Sequence, residues 1–246
     1  MTKLIVTRPR PQCAAWLAQL AELGVEAVAL PLIEILPARD PAPVVAAWGG
    51  LADVDLAVFV SPNAVEQFFR HADRSWPVHT LAACVGPGSA QALIEHGVPA
   101  VQVVQPAADA ASLDSEHLWQ QLSPRRDWAG ARVLLLRGDG GREWLAEQLA
   151  AEGAHVEAVT TYHRSGPRFD AAEQALLGAV RAEPTGFVWL FSSAEAVGHL
   201  RGLGLAGQRA IATHERIAEA ARVAGFDPVV LARPAPEAVT RALKAV

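Results

Sequence analysis

The feature that most constrains this chain is that it resembles itself at a spacing of about 130 residues, too long for a solenoid repeat and right for a duplicated domain. Three pairs of segments recur in the same order. Thr7-Arg8-Pro9, leading to Trp16-Leu17-Ala18-Gln19-Leu20 and Gly24-Val25-Glu26-Ala27-Val28, resembles Leu136-Arg137-Gly138, leading to Trp144-Leu145-Ala146-Glu147-Gln148-Leu149, Gly153 and Val156-Glu157-Ala158-Val159. Phe59-Val60-Ser61-Pro62-Asn63-Ala64-Val65 resembles Phe191-Ser192-Ser193-Ala194-Glu195-Ala196-Val197. Ala90 to Val98, ending Glu95-His96-Gly97-Val98, resembles Ala218 to Phe226, ending Val223-Ala224-Gly225-Phe226. Any one pair could arise from common packing. Three at nearly constant offset point to duplication.

Short Val/Leu/Ile runs alternate with amphipathic Ala/Leu/Glu stretches, the pattern of helices covering a mainly parallel sheet, so the class is α/β. Strands are expected near 3–8, 25–30, 55–60, 80–85, 100–104, 131–137, 154–160, 186–192, 208–212 and 228–232. Two matching extensions, Pro31 to Pro37 and Thr161 to Pro167, read as extended crossings that end in proline. If they pair, the chain leaves lobe one near residue 36 and returns near 165. Lobe one is then discontinuous, residues 1–35 and 168–246, around a lobe two of residues 36–167 that carries the connecting ribbon strands at its ends.

Composition removes several classes of function. With 246 residues, 51% of them apolar, the chain can bury two small cores, yet no apolar run approaches the ~20 residues of a membrane-spanning helix. Met1-Thr2-Lys3 runs straight into Leu4-Ile5-Val6 and Arg8-Pro9-Arg10-Pro11 without a signal-peptide core, so a cytoplasmic location is expected. The two cysteines, Cys13 and Cys84, sit in apolar stretches and read as reduced structural thiols. A net charge of −5 spread evenly argues against nucleic-acid binding, and an anionic ligand would have to be held by a local set of donors. There is no Gly-x-Gly-x-x-Gly after a strand, no Walker loop, no nucleophile elbow and no His or Cys pair at metal-ligand spacing, so neither a cofactor nor a metal is expected.

What remains is a set of strand-to-helix turns rich in Ser and Gly. Ser61-Pro62 suits an N-cap followed by proline in the first helical turn; Gly86-Pro87-Gly88-Ser89 and Gly138-Asp139-Gly140-Gly141-Arg142 open further helices; Ser192 with Glu195 forms a capping-box pattern. Helix N-termini present unpaired N–H groups and attract carboxylates, although each turn taken alone also reads as ordinary capping. Tyr162 is the single tyrosine, in the second crossing, and a phenol with pKa ~10 can donate a proton at neutral pH. Arg8, Arg137, Arg142 and Arg164 lie at strand ends or in these loops, where a guanidinium can pair with a carboxylate.

These segments, in order and across essentially the whole chain, resemble the uroporphyrinogen-III synthase family. The resemblance rests on Val6-Thr7-Arg8-Pro9, Leu30 to Ile35, Phe59 to Val65, Val85 to Ala90, Leu136-Arg137-Gly138 with Arg142 and Leu145, and Thr161-Tyr162-His163-Arg164. It implies two similar flavodoxin-like lobes with parallel sheets flanked by helices, joined by a two-stranded β-ribbon, with an active site between them. The implied substrate is hydroxymethylbilane, a linear tetrapyrrole with eight carboxylates, closed to uroporphyrinogen III with loss of water and inversion of ring D. By resemblance Tyr162 helps the hydroxyl leave, Ser61, Ser89 and Ser193 are hydroxyl-bearing turns near the substrate, and Gly86, Gly88 and Gly138 keep backbone donors accessible. Arg8, Arg137 and Arg142 are further candidate carboxylate partners. The sequence departs from the family where Thr213-His214-Glu215-Arg216 replaces a threonine-rich loop and where Ser89 stands in place of threonine. A monomer without nucleic-acid or membrane partners is expected. The alternative is a two-lobed small-molecule binding protein without catalysis, and a flavodoxin-like redox lobe is a further rival.

Overall fold

The structure is a computed structural model that describes residues 2–140 and 143–246. Twelve strands occur among the described residues: β1 (Lys3–Val6), β2 (Ala27–Ala29), β3 (Glu34–Pro37), β4 (Leu56–Phe59), β5 (Leu81–Cys84), β6 (Val103–Val104), β7 (Arg132–Arg137), β8 (His155–Thr160), β9 (Tyr162–Ser165), β10 (Phe187–Phe191), β11 (Ala210–Ala212) and β12 (Val229–Leu231). They form two five-stranded sheets, ordered β12-β11-β10-β1-β2 and β6-β5-β4-β7-β8, and a two-stranded ribbon of β3 and β9. Neighbours in both large sheets run parallel.

The chain divides into two compact units, residues 1–34 with 165–246 and residues 35–164. In the first unit the strands, taken in chain order, stand 2-1-3-4-5 across the sheet, which is the flavodoxin-like order. The second unit has the same spatial order, but its chain enters at the third position: β4, β5 and β6 precede β7 and β8. Ser165, Gly166 and Pro167, placed with lobe two on sequence grounds, fall in the first unit, where a side chain at Gly166 would meet the His199 ring at 3.2 Å, and Ile35, placed with lobe one, falls in the second.

The paired segments do the same local work. Gly24 and Gly153 take φ of +72° and +85° just after a helix, and Gly97 and Gly225 take +89° and +93° just after another. Each closes its helix end, with N–H groups donating to Ala21, Ala150, Ile94 and Arg222 carbonyls at 2.9 to 3.0 Å. Left-handed backbone of this kind is open to glycine at no steric cost, so the recurrence of glycine is a recurrence of geometry.

Central strands are apolar throughout because both faces are covered. Leu56-Ala57-Val58-Phe59 is buried along its length. Alternate residues feed two cores in the second unit: Ala57, Phe59, Leu134 and Leu136 join Trp48, Phe68, Phe69 and Trp76 on one face, while Leu56, Val58, Val133 and Leu135 join Leu118, Trp128 and Leu149 on the other. In the first unit Leu4, Val6, Val188, Leu190 and Ile211 pack on Cys13, Leu20 and Val239.

Candidate functional site

In an open parallel sheet, ligands meet the carboxyl ends of the strands where the strand order reverses. In the second unit that point lies between β4 and β7, so the turns that follow them, Val60-Ser61-Pro62 and Gly138-Asp139, stand side by side. Ser61 has extended backbone (φ −163°, ψ 160°) and caps the helix Pro62–Phe69, its Oγ accepting the Ala64 N–H at 3.2 Å. Proline in the first turn gives up an N–H that a helix leaves unpaired.

Tyr162 opens β9, and its Oη lies 3.1 Å from Ser61 Oγ, with either oxygen able to donate. The Tyr162 ring is 2% exposed and belongs to the same apolar core as Phe59 and Leu136, while Ser61 is partly exposed. Burial of an aromatic ring with its polar tip satisfied by one hydroxyl is the usual resolution for tyrosine. The ribbon fixes the backbone around it: Thr161 Oγ1 donates to Arg137 O at 3.1 Å, Ala38 N–H donates to Thr161 O at 3.1 Å, and His163 Nδ1 lies 2.7 Å from Pro37 O.

Gly88 lies against the Pro62 ring, where an added Cβ would be 3.6 Å from it, so the start of the helix Pro87–Glu95 adjoins the Ser61 turn. Gly86 caps that helix in extended conformation and has open space on its Cβ side. Ser89, expected near the substrate, is 3% exposed within the first turn, so burial leaves its hydroxyl little access to a ligand. Arg137 points its Nη1 at Glu143 Oε1 in a salt bridge, a partner that the six-residue spacing did not announce because it matches neither the helix nor the strand period. Arg142 and Gly141 lie outside the described residues.

Arg8 and Ser193 belong to the first unit. Ser193 caps the short helix Ala194–Gly198, accepting the Ala196 N–H at 3.4 Å. The Arg8 guanidinium stacks 4.4 Å from the Trp16 ring centroid, its Nη1 reaches Gln12 Oε1 at 3.4 Å, and its Nε is buried with no hydrogen-bond partner. That burial lowers its pKa from the usual arginine value. In the departing turn, His214 caps the helix Glu215–Val223, Nδ1 accepting the Arg216 N–H at 3.1 Å, a role not foreseen from the sequence.

Among the described residues no three His, Cys, Asp or Glu side chains come together in a group that could hold a metal ion, and no helix is long and apolar enough to cross a membrane.

The family model described as "Uroporphyrinogen-III synthase HemD" matches residues 14–241. Among curated proteins, the uroporphyrinogen-III synthase of Salmonella typhimurium is 33% identical over 98% of this chain and 99% of its own length, and that of Escherichia coli K12 is 31% identical over the same shares. The crystal structure of the Helicobacter pylori uroporphyrinogen-III synthetase superposes with a TM-score of 0.59 at 17% identity, covering both chains fully. A mutant uroporphyrinogen III synthase from Thermus thermophilus gives 0.56 at 18%, covering 100% of this chain and 98% of that one. At such identities the two structures speak for the fold. The family model and the near-full-length relatives speak for descent, and by them this chain belongs to the uroporphyrinogen-III synthase family.

Proposed function

We propose that this chain closes hydroxymethylbilane to uroporphyrinogen III and that the Ser61–Tyr162 pair in the second unit supplies the proton for the departing hydroxyl. The observation that carries the reading is the 3.1 Å contact between the single phenol of the chain and a helix-capping serine at the point where the strand order reverses.

In the reaction that the family resemblance implies, the terminal C–O bond breaks and the oxygen leaves with its electron pair, while a pyrrole nitrogen feeds electrons in to form an azafulvene cation. The leaving oxygen must gain a proton to depart as water. Because Tyr162 is buried and Ser61 is the more exposed of the two, the proton passes from Ser61 Oγ to the leaving oxygen as Tyr162 Oη passes its own to Ser61. The negative charge ends on the phenolate and Ser61 finishes neutral. The Ala64 N–H already bonded to Ser61 Oγ, at the positive end of its helix, is a fixed dipole that needs no reorganisation during the transfer. Attack by the substituted carbon of ring D then forms the spiro intermediate, and fragmentation and reclosure invert that ring. Those later steps are chemistry of the pyrroles, to which the protein contributes position, worth up to ~7–11 kcal/mol for well-oriented groups.

Arg137 is the proposed carboxylate partner in this unit, released from Glu143 when substrate arrives, with the adjoining helix starts at Ser61 and Gly86 as further anion sites. Arg8 and Ser193 are proposed to hold substrate carboxylates from the first unit. A monomer acting in the cytoplasm fits this reading.

The test is to give purified protein fresh hydroxymethylbilane, oxidise the products and separate type I from type III uroporphyrin against a protein-free control. Excess type III supports the synthase. Type I alone at the background rate, from folded protein, leaves a binding protein without catalysis as the better reading.

A further inference from the structure

Gly138 is the one glycine of the site whose missing side chain is filled by another residue. A Cβ built there would lie 2.6 Å from Tyr162 Cζ, 2.7 Å from Cε2 and 3.0 Å from Oη. Gly86 has nothing within 4 Å on that side, and Gly88 has only an ordinary contact at 3.6 Å. Nor does the backbone require glycine at 138, since it is absent from the positive-φ positions. The first unit shows that the fold does not require it either. Arg8-Pro9, just beyond β1, matches Arg137-Gly138 at the end of β7, and Pro9 carries a full ring. The matching crossing there, Leu30-Pro31-Leu32-Ile33, has no phenol.

We propose that Gly138 is a positioning residue for catalysis: by lacking a side chain it lets the Tyr162 ring lie across the end of β7 and deliver its hydroxyl to Ser61. The ring cannot yield cheaply to an added methyl group, because it is 2% exposed and belongs to the same buried core as Phe59, Leu136 and Val159, where overpacking forces side chains off their positions. A displacement of a few tenths of an ångström at the ring is enough to lengthen the 3.1 Å bond to Ser61 beyond useful proton transfer. This assigns Gly138 a part different from access of ligand to the backbone, and it rests on the proposed role of Tyr162.

The experiment is a double-mutant cycle on Gly138→Ala and Tyr162→Leu, measuring kcat, KM and melting temperature, since leucine keeps apolar bulk but lacks Cζ, Cε2 and Oη. Gly138→Ala is expected to lower kcat by about 10²-fold, to the level of Tyr162→Leu, with KM changed by no more than about threefold. The double variant should lose nothing further in kcat and should regain any melting temperature lost by Gly138→Ala alone, because the clash has gone. Losses in kcat that multiply in the double variant, a rise in KM without a fall in kcat, or a Gly138→Ala protein at the wild-type rate would each overturn the proposal. If Gly138→Ala alone does not fold, a double variant that folds sustains the clash and one that stays unfolded overturns it. Failure of the functional reading looks different: wild-type protein would itself yield only the type I isomer.

Discussion

The two units share one strand order and one set of glycine helix ends, yet at the reversal point they differ in what stands on the sheet. The second unit has Gly138, Ser61 and a buried phenol in hydrogen-bond contact. The first has Pro9, Ser193 and an aliphatic crossing, and its Thr7 Oγ1 donates to Leu190 O at 2.6 Å, closing the end of β1 onto its own sheet. What recurs in both units is what the fold needs, namely apolar central strands and left-handed glycines after the helices, whereas the proline at the start of Pro62–Phe69 has no counterpart at the start of Ala194–Gly198. The proposed proton-transfer pair, Ser61 with Tyr162, stands in the second unit alone, as suits a reaction with one leaving hydroxyl.

The sharpest way to break that contrast is the matched serine pair. Ser61→Gly and Ser193→Gly each remove a capping hydroxyl at a position where glycine costs helix stability only a few tenths of a kcal/mol. Ser61→Gly should lower the rate of type III formation by about 10²-fold, whereas Ser193→Gly should change it by less than about tenfold and act mainly on KM. Equal losses in kcat would remove the asymmetry.

The arginine pair gives a smaller contrast. Arg137 is held by Glu143 and is released by substrate on the present account, so Glu143→Gln should lower KM by about twofold to fivefold, the scale of one exposed ion pair. Arg8, packed on Trp16 with a buried Nε, should answer to Arg8→Ala with lost stability as well as raised KM. A Glu143→Gln protein with unchanged KM would place Arg137 outside the binding site.

Alkaline stability gives a contrast in which the units should behave alike. Burial pushes both thiols, Cys13 in the first unit and Cys84 in the second, from 9.0 up to about 11. Unfolded thiols ionise first, so the folded state holds more protons between those values and stability must fall as pH rises from about 9 through 11. The loss is at most about 3 kcal/mol per thiol, and Cys84→Ala should remove about half of the alkaline slope in denaturant titrations. A slope unaffected by Cys84→Ala would show that the thiol is not shielded.

Much of this molecule is legible in its sequence because the signals are local. Each of the ten expected sheet strands has a counterpart, mostly trimmed at the ends, strand 25–30 pairing only over Ala27–Ala29; of 100–104 only Val103–Val104 is strand, because Ala100–Gln102 forms a 3₁₀ turn. The crossings pair because each is extended and bounded by proline. The site is less legible because its geometry is made by long-range contacts. Gly138 and Tyr162 are 24 positions apart, and nothing in a Leu-Arg-Gly turn says which ring fills the space above it. Ser89 faces inward because its helix turns it toward the core, which a Ser/Gly-rich turn does not reveal. Arg137 and Glu143 join at a six-residue spacing that matches no helix or strand period, and the His214 cap replaces a hydroxyl with a ring nitrogen, a substitution that capping preferences do not anticipate.

On the proposed mechanism, one phenol in one unit drives the departure of the hydroxyl. The most direct test is the single-turnover rate of type III formation by Tyr162→Phe beside wild type, with melting temperature as the control on folding. Phenylalanine keeps the ring in the core and removes only Oη. A loss of about 10²-fold is expected, with melting lowered by a few degrees, the cost of one buried hydrogen bond. A Tyr162→Phe protein that forms type III product at the full rate would contradict that mechanism.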